Sequence, residues 1–370
     1  MSNYLNLQSI DQEQALNLTK FFVRSNQNIF LFGQKGVGKT HIAIQAIKEC
    51  GLKVNYINLS VIERTDLSGF PDMMRDSDIV YFKSPYYLPN LLENQKPDCV
   101  ILFDEVDKAS PEVTAPLLEI LQFRTVNGKK INTNGCILTG NLISENVYSN
   151  KISTALLDRG AKYTLSFNFE KWIDWAKSNQ IHDLILGFLK NNTEFIIGDL
   201  EDASYASPSP RSWSLASDSL LKAKDLKLND SETISHIISG YVGHEAGLRF
   251  KIWYEYHRKF EPFIVSLIEN GDLNLNFESL HITEKLIFIV SACYIAKQKT
   301  INNSSKSKNK FIYLENLCNF FIQNKIDKEM QIMGFYNSFD FEMITKYKLY
   351  SCKLFFDHFT KLNENVLIKK

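Results

Sequence analysis

Among the stretches of this chain that are apolar without a break are Ile29-Phe30-Leu31-Phe32, Val100-Ile101-Leu102-Phe103 and Cys136-Ile137-Leu138. A strand with one face in water alternates apolar and polar side chains. A run apolar at every position suits a strand covered on both faces, the usual situation in a parallel sheet. Lys53 to Leu59 and the alternating Tyr163, Leu165 and Phe167 add two further strands. Between the strands the apolar spacing becomes helical. Ile42, Ala43, Ala46 and Ile47 form one such set, Val113, Leu117, Leu118, Ile120 and Leu121 another, and Gln14 to Val23 a shorter one. Ser110-Pro111-Glu112 marks a helix start, with Ser as cap, Pro at the first position and an acid in the first turn. Asn127-Gly128 between Val126 and Lys129 is a two-residue hairpin signal. Strands alternating with helices predict an α/β fold with a parallel sheet between helical layers.

From residue 170 the strand pattern stops. Trp172, Ile173, Trp175 and Ala176, then Leu184, Ile185, Phe188 and Leu189, recur at helical spacing. A Ser/Pro-rich passage, Ser207-Pro208-Ser209-Pro210, then puts Arg211 at a helix N-terminus. Ile234, Ile237, Ile238 and Tyr241, and Leu248, Ile252, Tyr256 and Phe260, predict two more helices. The last hundred residues are helical and aromatic-rich, with Leu314, Leu317, Cys318, Phe321 and Ile322, then Met343, Tyr347, Tyr350 and Leu354. Core packing is the default for them, a docking or oligomer-capping module the alternative. The polar, basic residues 302–310 read as a solvated loop. The division expected is 1–169 for the α/β domain, 170–262 for a helical domain and 263–370 for a helical extension.

Composition narrows the function classes. Lys and Arg number 42 and Asp and Glu 42 in 370 residues, so no global basic excess marks a nucleic-acid binder, although a local stripe remains compatible with a balanced total. The six cysteines are scattered with no CxxC and read as buried thiols of a reduced, cytoplasmic protein. The N-terminus lacks the basic and apolar segments of a signal peptide, and no stretch is long and apolar enough to span a membrane. His244-Glu245 lacks a second histidine four positions on, because residue 248 is Leu, so no zinc site is expected there.

Candidate chemistry sits at the ends of the apolar runs. Gly33-Gln34-Lys35-Gly36-Val37-Gly38-Lys39-Thr40 fits the phosphate-loop pattern GxxxxGK[ST], placed between a strand and a helix as that motif requires. The glycines let backbone amides turn inward, and the helix N-terminus adds partial positive charge for an anion. The chain is therefore expected to bind a nucleoside triphosphate. Asp104 and Glu105 end the second apolar run. At the carboxyl edge of a sheet, Asp104 would help hold Mg²⁺ and Glu105 would orient the attacking water. Asn141 ends the third run and would lie at the same edge, its amide available to that water or to the γ-phosphate. Arg159, in Leu156-Leu157-Asp158-Arg159, is either a surface arginine or a finger for a neighbouring subunit's γ-phosphate. The aromatic residues Tyr81, Phe82, Tyr86 and Tyr87 read first as a hairpin packed on its own domain and second as an exposed loop that grips a partner.

Together these features resemble the AAA+ ATPases, and within them the MoxR-like group, over about residues 25–260. The phosphate loop matches Walker A and Val100 to Glu105 matches Walker B. Asn141 stands where sensor 1 is expected, Leu157-Asp158-Arg159 resembles the arginine-finger segment, and Pro210-Arg211-Ser212-Trp213 looks like sensor 2. Asp66-Leu67-Ser68-Gly69-Phe70-Pro71 and the Asn127-Gly128 hairpin resemble features of the same group. Asn141 departs from it in being followed by Leu142, where Pro is usual. The resemblance implies a three-layer αβα core with a helical lid, and a ring, usually a hexamer, with ATP bound between subunits. Lys39 would hold the β- and γ-phosphates and Thr40 the Mg²⁺. Arg159 would come from the neighbour, and Arg211 would report nucleotide state to the lid. It further implies a chaperone-like remodeller of proteins, often beside a von Willebrand factor A domain partner. Alternatives on the same core are a nucleic-acid motor or loader and a nucleotide-gated scaffold. Glu105 argues against the scaffold, which needs no water-activating carboxylate.

Overall fold

The computed structural model describes residues 7–74, 79–90, 96–141, 152–198, 206–228, 230–302, 311–339 and 341–367. Most of the predicted 302–310 loop, and the acidic stretch before Ser207, lie outside these. The chain divides into two compact units, residues 1–172 and 173–370.

The first unit is built on a six-stranded sheet. Its elements in chain order are β1 (Ser9–Ile10), α1 (Gln12–Arg24), β2 (Ile29–Gly33), α2 (Lys39–Glu49), β3 (Lys53–Asn58), α3 (Arg64–Ser68), β4 (Cys99–Asp104), α4 (Pro111–Phe123), β5 (Thr125–Val126), β6 (Lys129–Lys130), β7 (Cys136–Gly140), α5 (Thr154–Leu157) and β8 (Ala161–Leu165). The order across the sheet is β1-β8-β2-β7-β4-β3, every pairing parallel. The three uninterrupted apolar runs are β2, β4 and β7, the sheet's interior, and each is covered on both faces. Phe30, Phe32, Ile101, Phe103 and Leu138 pack with Val113, Leu117, Ile120 and Leu121 of α4, Leu67 of α3 and Leu156 of α5. On the opposite face α2 lies against β2, β4 and β7, with α1 beside it. The expected αβα layering is what forms.

Short-range contacts set several element ends. Asp11 caps α1 through a reciprocal pair of hydrogen bonds with Gln14. Pro111 starts α4, though the Ser110 side chain makes no capping bond. Asn127 and Gly128, at φ 49° and 74°, turn β5 into β6. Residues 70–72 and 81–83 pair antiparallel, bridged at Pro71 and Phe82. The first reading of the aromatic residues as packed on their own domain needs correction, because Tyr81 and Tyr87 are exposed and Tyr86 is 95 % exposed. Nearby Met73, Met74, Ile79 and Val80 are exposed as well.

The second unit is helical. Helix α6 (Phe169–Ser178) runs into it, followed by α7 (Asp183–Asn191), α8 (Pro210–Asp225), α9 (Ser231–Val242), α10 (His244–Asn270), α11 (Ile282–Asn302), α12 (Ile312–Gln323), α13 (Lys328–Ser338), α14 (Phe341–Lys346) and α15 (Lys353–Leu367). Helix α10 is continuous across residue 262, and its Phe260, Ile264 and Leu267 join a core with residues of α11, α12, α13 and α15. The stripe expected on α10 is offset as well. Leu248 and Ile252 are exposed, while Phe250, Trp253, Tyr254 and His257 are buried. Helices α9, α11 and α12 all pack on α10, so its neighbours rather than one i,i+4 row decide which side is covered.

Candidate functional site

Sheet register assembles the site. Phe32 of β2 is paired with Gly140 of β7, so Asn141 emerges beside Gly33. Phe103 of β4 pairs with Leu138, which puts Thr139 next to Asp104. Asn58 at the end of β3 pairs with Asp104 itself. Four parallel strands thus release their last residues at one edge, where the loop from Gln34 to Gly38 turns into α2.

That loop depends on backbone only glycine adopts easily. Gly38, the residue before α2, has φ 101° and ψ 13°, a left-handed conformation in which a β-carbon is strained. No side chain caps α2, so the amides of its first turn are left for an anion. Lys39 is buried at 8 % exposure, and its ammonium donates to the carbonyls of Gly33 at 2.7 Å and Gln34 at 2.8 Å and to Asn141 Oδ1 at 3.0 Å. The lysine therefore already ties the loop to the end of β7.

Asp104 is held by four donors. Thr40 Oγ1 and the Tyr56 hydroxyl donate to Oδ2 at 3.1 Å and 3.0 Å, the Glu105 amide donates to Oδ1 at 3.1 Å, and Thr139 Oγ1 donates to Oδ1. A hydroxyl and a carboxylate converging at the mouth of a phosphate loop are the hard oxygen donors that suit Mg²⁺. Among the described residues no cluster of three or more His, Cys, Asp or Glu offers an alternative metal site.

Glu105 begins the short 3-10 turn Val106–Lys108 in a left-handed conformation, φ 59° and ψ 43°. Its Oε1 lies 3.0 Å from Lys108 Nζ. Partial burial works against its charge, but the Lys108 hydrogen bond, a hydrogen bond from Ser60, the Lys108 charge and a hydrogen bond from Asn58 outweigh burial and hold the carboxyl below the usual glutamate range. Tyr56, Asn58, Ser60, Lys108 and Thr139 were not singled out from the sequence. Only Lys108, three residues after Glu105, carried a local signal.

Arg159 lies at the other edge. Ala161 is paired with Ile29, the first residue of β2, so Arg159 precedes β8 at the amino end of the sheet. The phosphate loop leaves the carboxyl end of β2, four strand steps or about 13 Å further along. Its guanidinium bonds to Gln122 Oε1 at 2.9 Å and to the Ala155 carbonyl, and its main chain is held through Asn28. Arg211 occupies the first turn of α8 in the second unit and is exposed. The first unit thus gathers Lys39, Thr40, Asp104, Glu105 and Asn141, and sets Arg159 apart from them.

Residues 24–171 match the family described as AAA domain (Cdc48 subfamily). Over 141 residues the chain is 35 % identical to the chaperone protein ClpB of Mycoplasma pneumoniae, covering 35 % of this chain and 19 % of that protein. Over 135 residues it is 32 % identical to the ATP-dependent Clp protease ATP-binding subunit ClpL of Staphylococcus aureus, covering 33 % of this chain and 19 % of that one. The match therefore spans about a fifth of each relative's length. Among solved structures the chain is similar to a RuvB mutant of Thermotoga maritima, at 11 % identity over 90 % of this chain and 86 % of that one with a TM-score of 0.36. A putative ATPase of Cytophaga hutchinsonii is similar at 15 % identity over 88 % and 81 %, with a TM-score of 0.35.

Proposed function

We propose, from the premise that residues 24–171 are an AAA+ ATPase domain, that this chain hydrolyses ATP as a ring of identical subunits and uses the cycle to remodel a protein partner. One observation carries the reading: a glycine-turned loop, an uncapped helix N-terminus, Lys39, the Thr40–Asp104 pair, Glu105 and Asn141 converge on one sheet edge. The amides of α2 receive phosphate oxygens, and Lys39 exchanges the Gly33 and Gln34 carbonyls for them. Thr40 and Asp104 would hold Mg²⁺, which when bound offsets the phosphate charge. Glu105 accepts a hydrogen bond from water and aligns it on the γ-phosphorus; a new P–O bond forms as the bond to the β-phosphate oxygen breaks. Asn141 stands beside the same phosphate.

Arg159, set at the opposite edge, serves a neighbouring copy's site, as expected of a hexameric ring. Arg211 belongs to residues 170–262, which act as the lid, with 263–370 as an extension on it. The protein-client reading draws on relatives named as a chaperone and an ATP-dependent Clp subunit, and on the exposed Met73, Met74, Ile79, Val80 and Tyr86. The MoxR-like affiliation, the von Willebrand factor A domain partner and a cytoplasmic location belong to the same proposal. No helix among the described residues is long and apolar enough to cross a membrane.

The test is ATP hydrolysis and capture with Glu105→Gln. This variant is expected to bind ATP, to lose at least about a hundredfold in turnover, and to retain a polypeptide client. Lys39→Ala is expected to lose nucleotide binding. Wild-type turnover in Glu105→Gln would remove the water-activating role. DNA or RNA in place of a captured polypeptide would move the function to a nucleic-acid motor.

A further inference from the structure

Asp107 is fully buried two residues after the proposed water-activating glutamate, and it points its carboxylate at the end of β7 rather than at solvent. Its Oδ1 accepts the backbone N–H of Asn141 at 2.9 Å. Its Oδ2 is buried with no hydrogen-bond partner among the described residues. A buried carboxylate with one oxygen unpaired costs stability, and an apolar residue of similar shape would avoid that cost. The surrounding packing is close. A β-carbon on Gly140 would stand 3.1 Å from Asp107 Oδ1, 3.0 Å from Val106 Cγ1 and 3.2 Å from a Phe32 ring carbon. The turn carrying Glu105 and the strand end carrying Asn141 therefore meet with Asp107 as the polar link between them.

We infer that Asp107 is a positioning residue for Asn141, fixing the main chain from which the Asn141 amide reaches Lys39 and the γ-phosphate. The chain of contacts is continuous: Glu105 opens the 3-10 turn, Asp107 within that turn holds Asn141 N–H, and Asn141 Oδ1 accepts from Lys39 Nζ at 3.0 Å. Displacement of the turn at Glu105 is thereby transmitted to the phosphate-facing amide through one hydrogen bond. This inference rests on the ATPase reading above.

The test separates positioning from simple structural support. Asp107→Ala is expected to lower kcat at least about tenfold while the Kd for ATP changes less than about threefold. Asp107→Asn keeps a carbonyl oxygen for the Asn141 amide, and is expected to recover most of the lost kcat. Asn141→Ala combined with Asp107→Ala is expected to be no slower than Asn141→Ala alone, because the aspartate acts through the asparagine. Three results overturn the inference while leaving the ATPase reading intact: wild-type kcat in Asp107→Ala, multiplicative losses in the double variant, or Asp107→Asn as inactive as Asp107→Ala, which would make the charge rather than the hydrogen bond the requirement. Should Asp107→Ala be too unstable to assay, Asp107→Asn carries the decision: kcat near wild type supports the inference, and loss of kcat with ATP binding retained overturns it. Absence of ATP hydrolysis by the wild-type chain overturns the ATPase reading itself.

Discussion

Asn28 shows how much one side chain organises here. It is 6 % exposed, and its amide donates to the carbonyls of Leu121 at 2.9 Å and Arg159 at 2.7 Å. Its Oδ1 accepts from Arg124 Nη2 at 2.6 Å and from the Cys136 N–H at 3.2 Å. Removing it leaves buried backbone groups unpaired, at about 1–3 kcal/mol for each uncompensated group. Asn28→Ala is expected to lower stability by about 3 kcal/mol in urea unfolding and to free the main chain at Arg159. At the site, Thr139→Val removes a donor from Asp104 without changing side-chain volume much. Supports of a metal-holding carboxylate are worth about tenfold or more in metal affinity, so Thr139→Val is expected to raise the Mg²⁺ needed for half-maximal hydrolysis by about tenfold. Glu105 supplies a pH test. Its carboxyl is held below the ordinary value of 4.5, so the ionised form persists into mild acid, and the acid limb of the proposed hydrolysis is expected below that value. Lys108→Met removes both the hydrogen bond and the charge that hold it down, and is expected to move that limb upward.

At the scale of elements, the second unit is joined by buried polar pairs as well as aromatic packing. His257 of α10 lies with Nδ1 2.6 Å from Ser291 Oγ of α11, and His182, the cap of α7, faces the Tyr294 hydroxyl of α11 at 3.5 Å. Burial pushes His257 down to about 4 and His182 down to about 3, with nearby Lys224 adding to both and the His257 charge adding to the second. Both depart from an ordinary value of 6.5, so the unfolded chain takes up protons that the folded chain does not between 6.5 and about 4. Their contribution is fully present above pH 6.5 and is lost as pH falls towards the folded values. Thermal melts across that range are expected to show a falling midpoint, and His257→Gln a shallower fall. Beside the bridge between Pro71 and Phe82, the side chains of Met73, Met74, Ile79 and Val80 are exposed.

For the whole molecule, parallel topology has one consequence for assembly. All six strands run the same way, so every residue after a strand lies at one edge and every residue before a strand at the other. Arg159 precedes β8 and the phosphate loop follows β2, which keeps this arginine from serving the loop of its own sheet. With Arg159 in the proposed finger role, hydrolysis needs a second copy. Specific activity is expected to rise with protein concentration. Mixing inactive Lys39→Ala with inactive Arg159→Ala is expected to restore activity, because mixed neighbours form sites with an intact loop on one chain and an intact arginine on the other. No recovery on mixing would place Arg159 outside the hydrolytic site.

Read alone, the amino-acid order already identified the interior strands, the loop between β2 and α2, the acids ending β4 and the helical character beyond residue 170. Those features are local: strand and helix periods, glycine conformations and turn chemistry act over a few neighbouring residues. Tertiary structure alone decided what lay across strands. The pairing of Phe32 with Gly140 and of Phe103 with Leu138 set Asn141 and Thr139 beside residues far away in the chain. The Tyr56–Asp104 and Asn141–Asp107 hydrogen bonds, and the side of α10 that is buried, depend on the same kind of long-range placement. Such contacts follow from sheet order and helix packing, and no short window of sequence contains both partners.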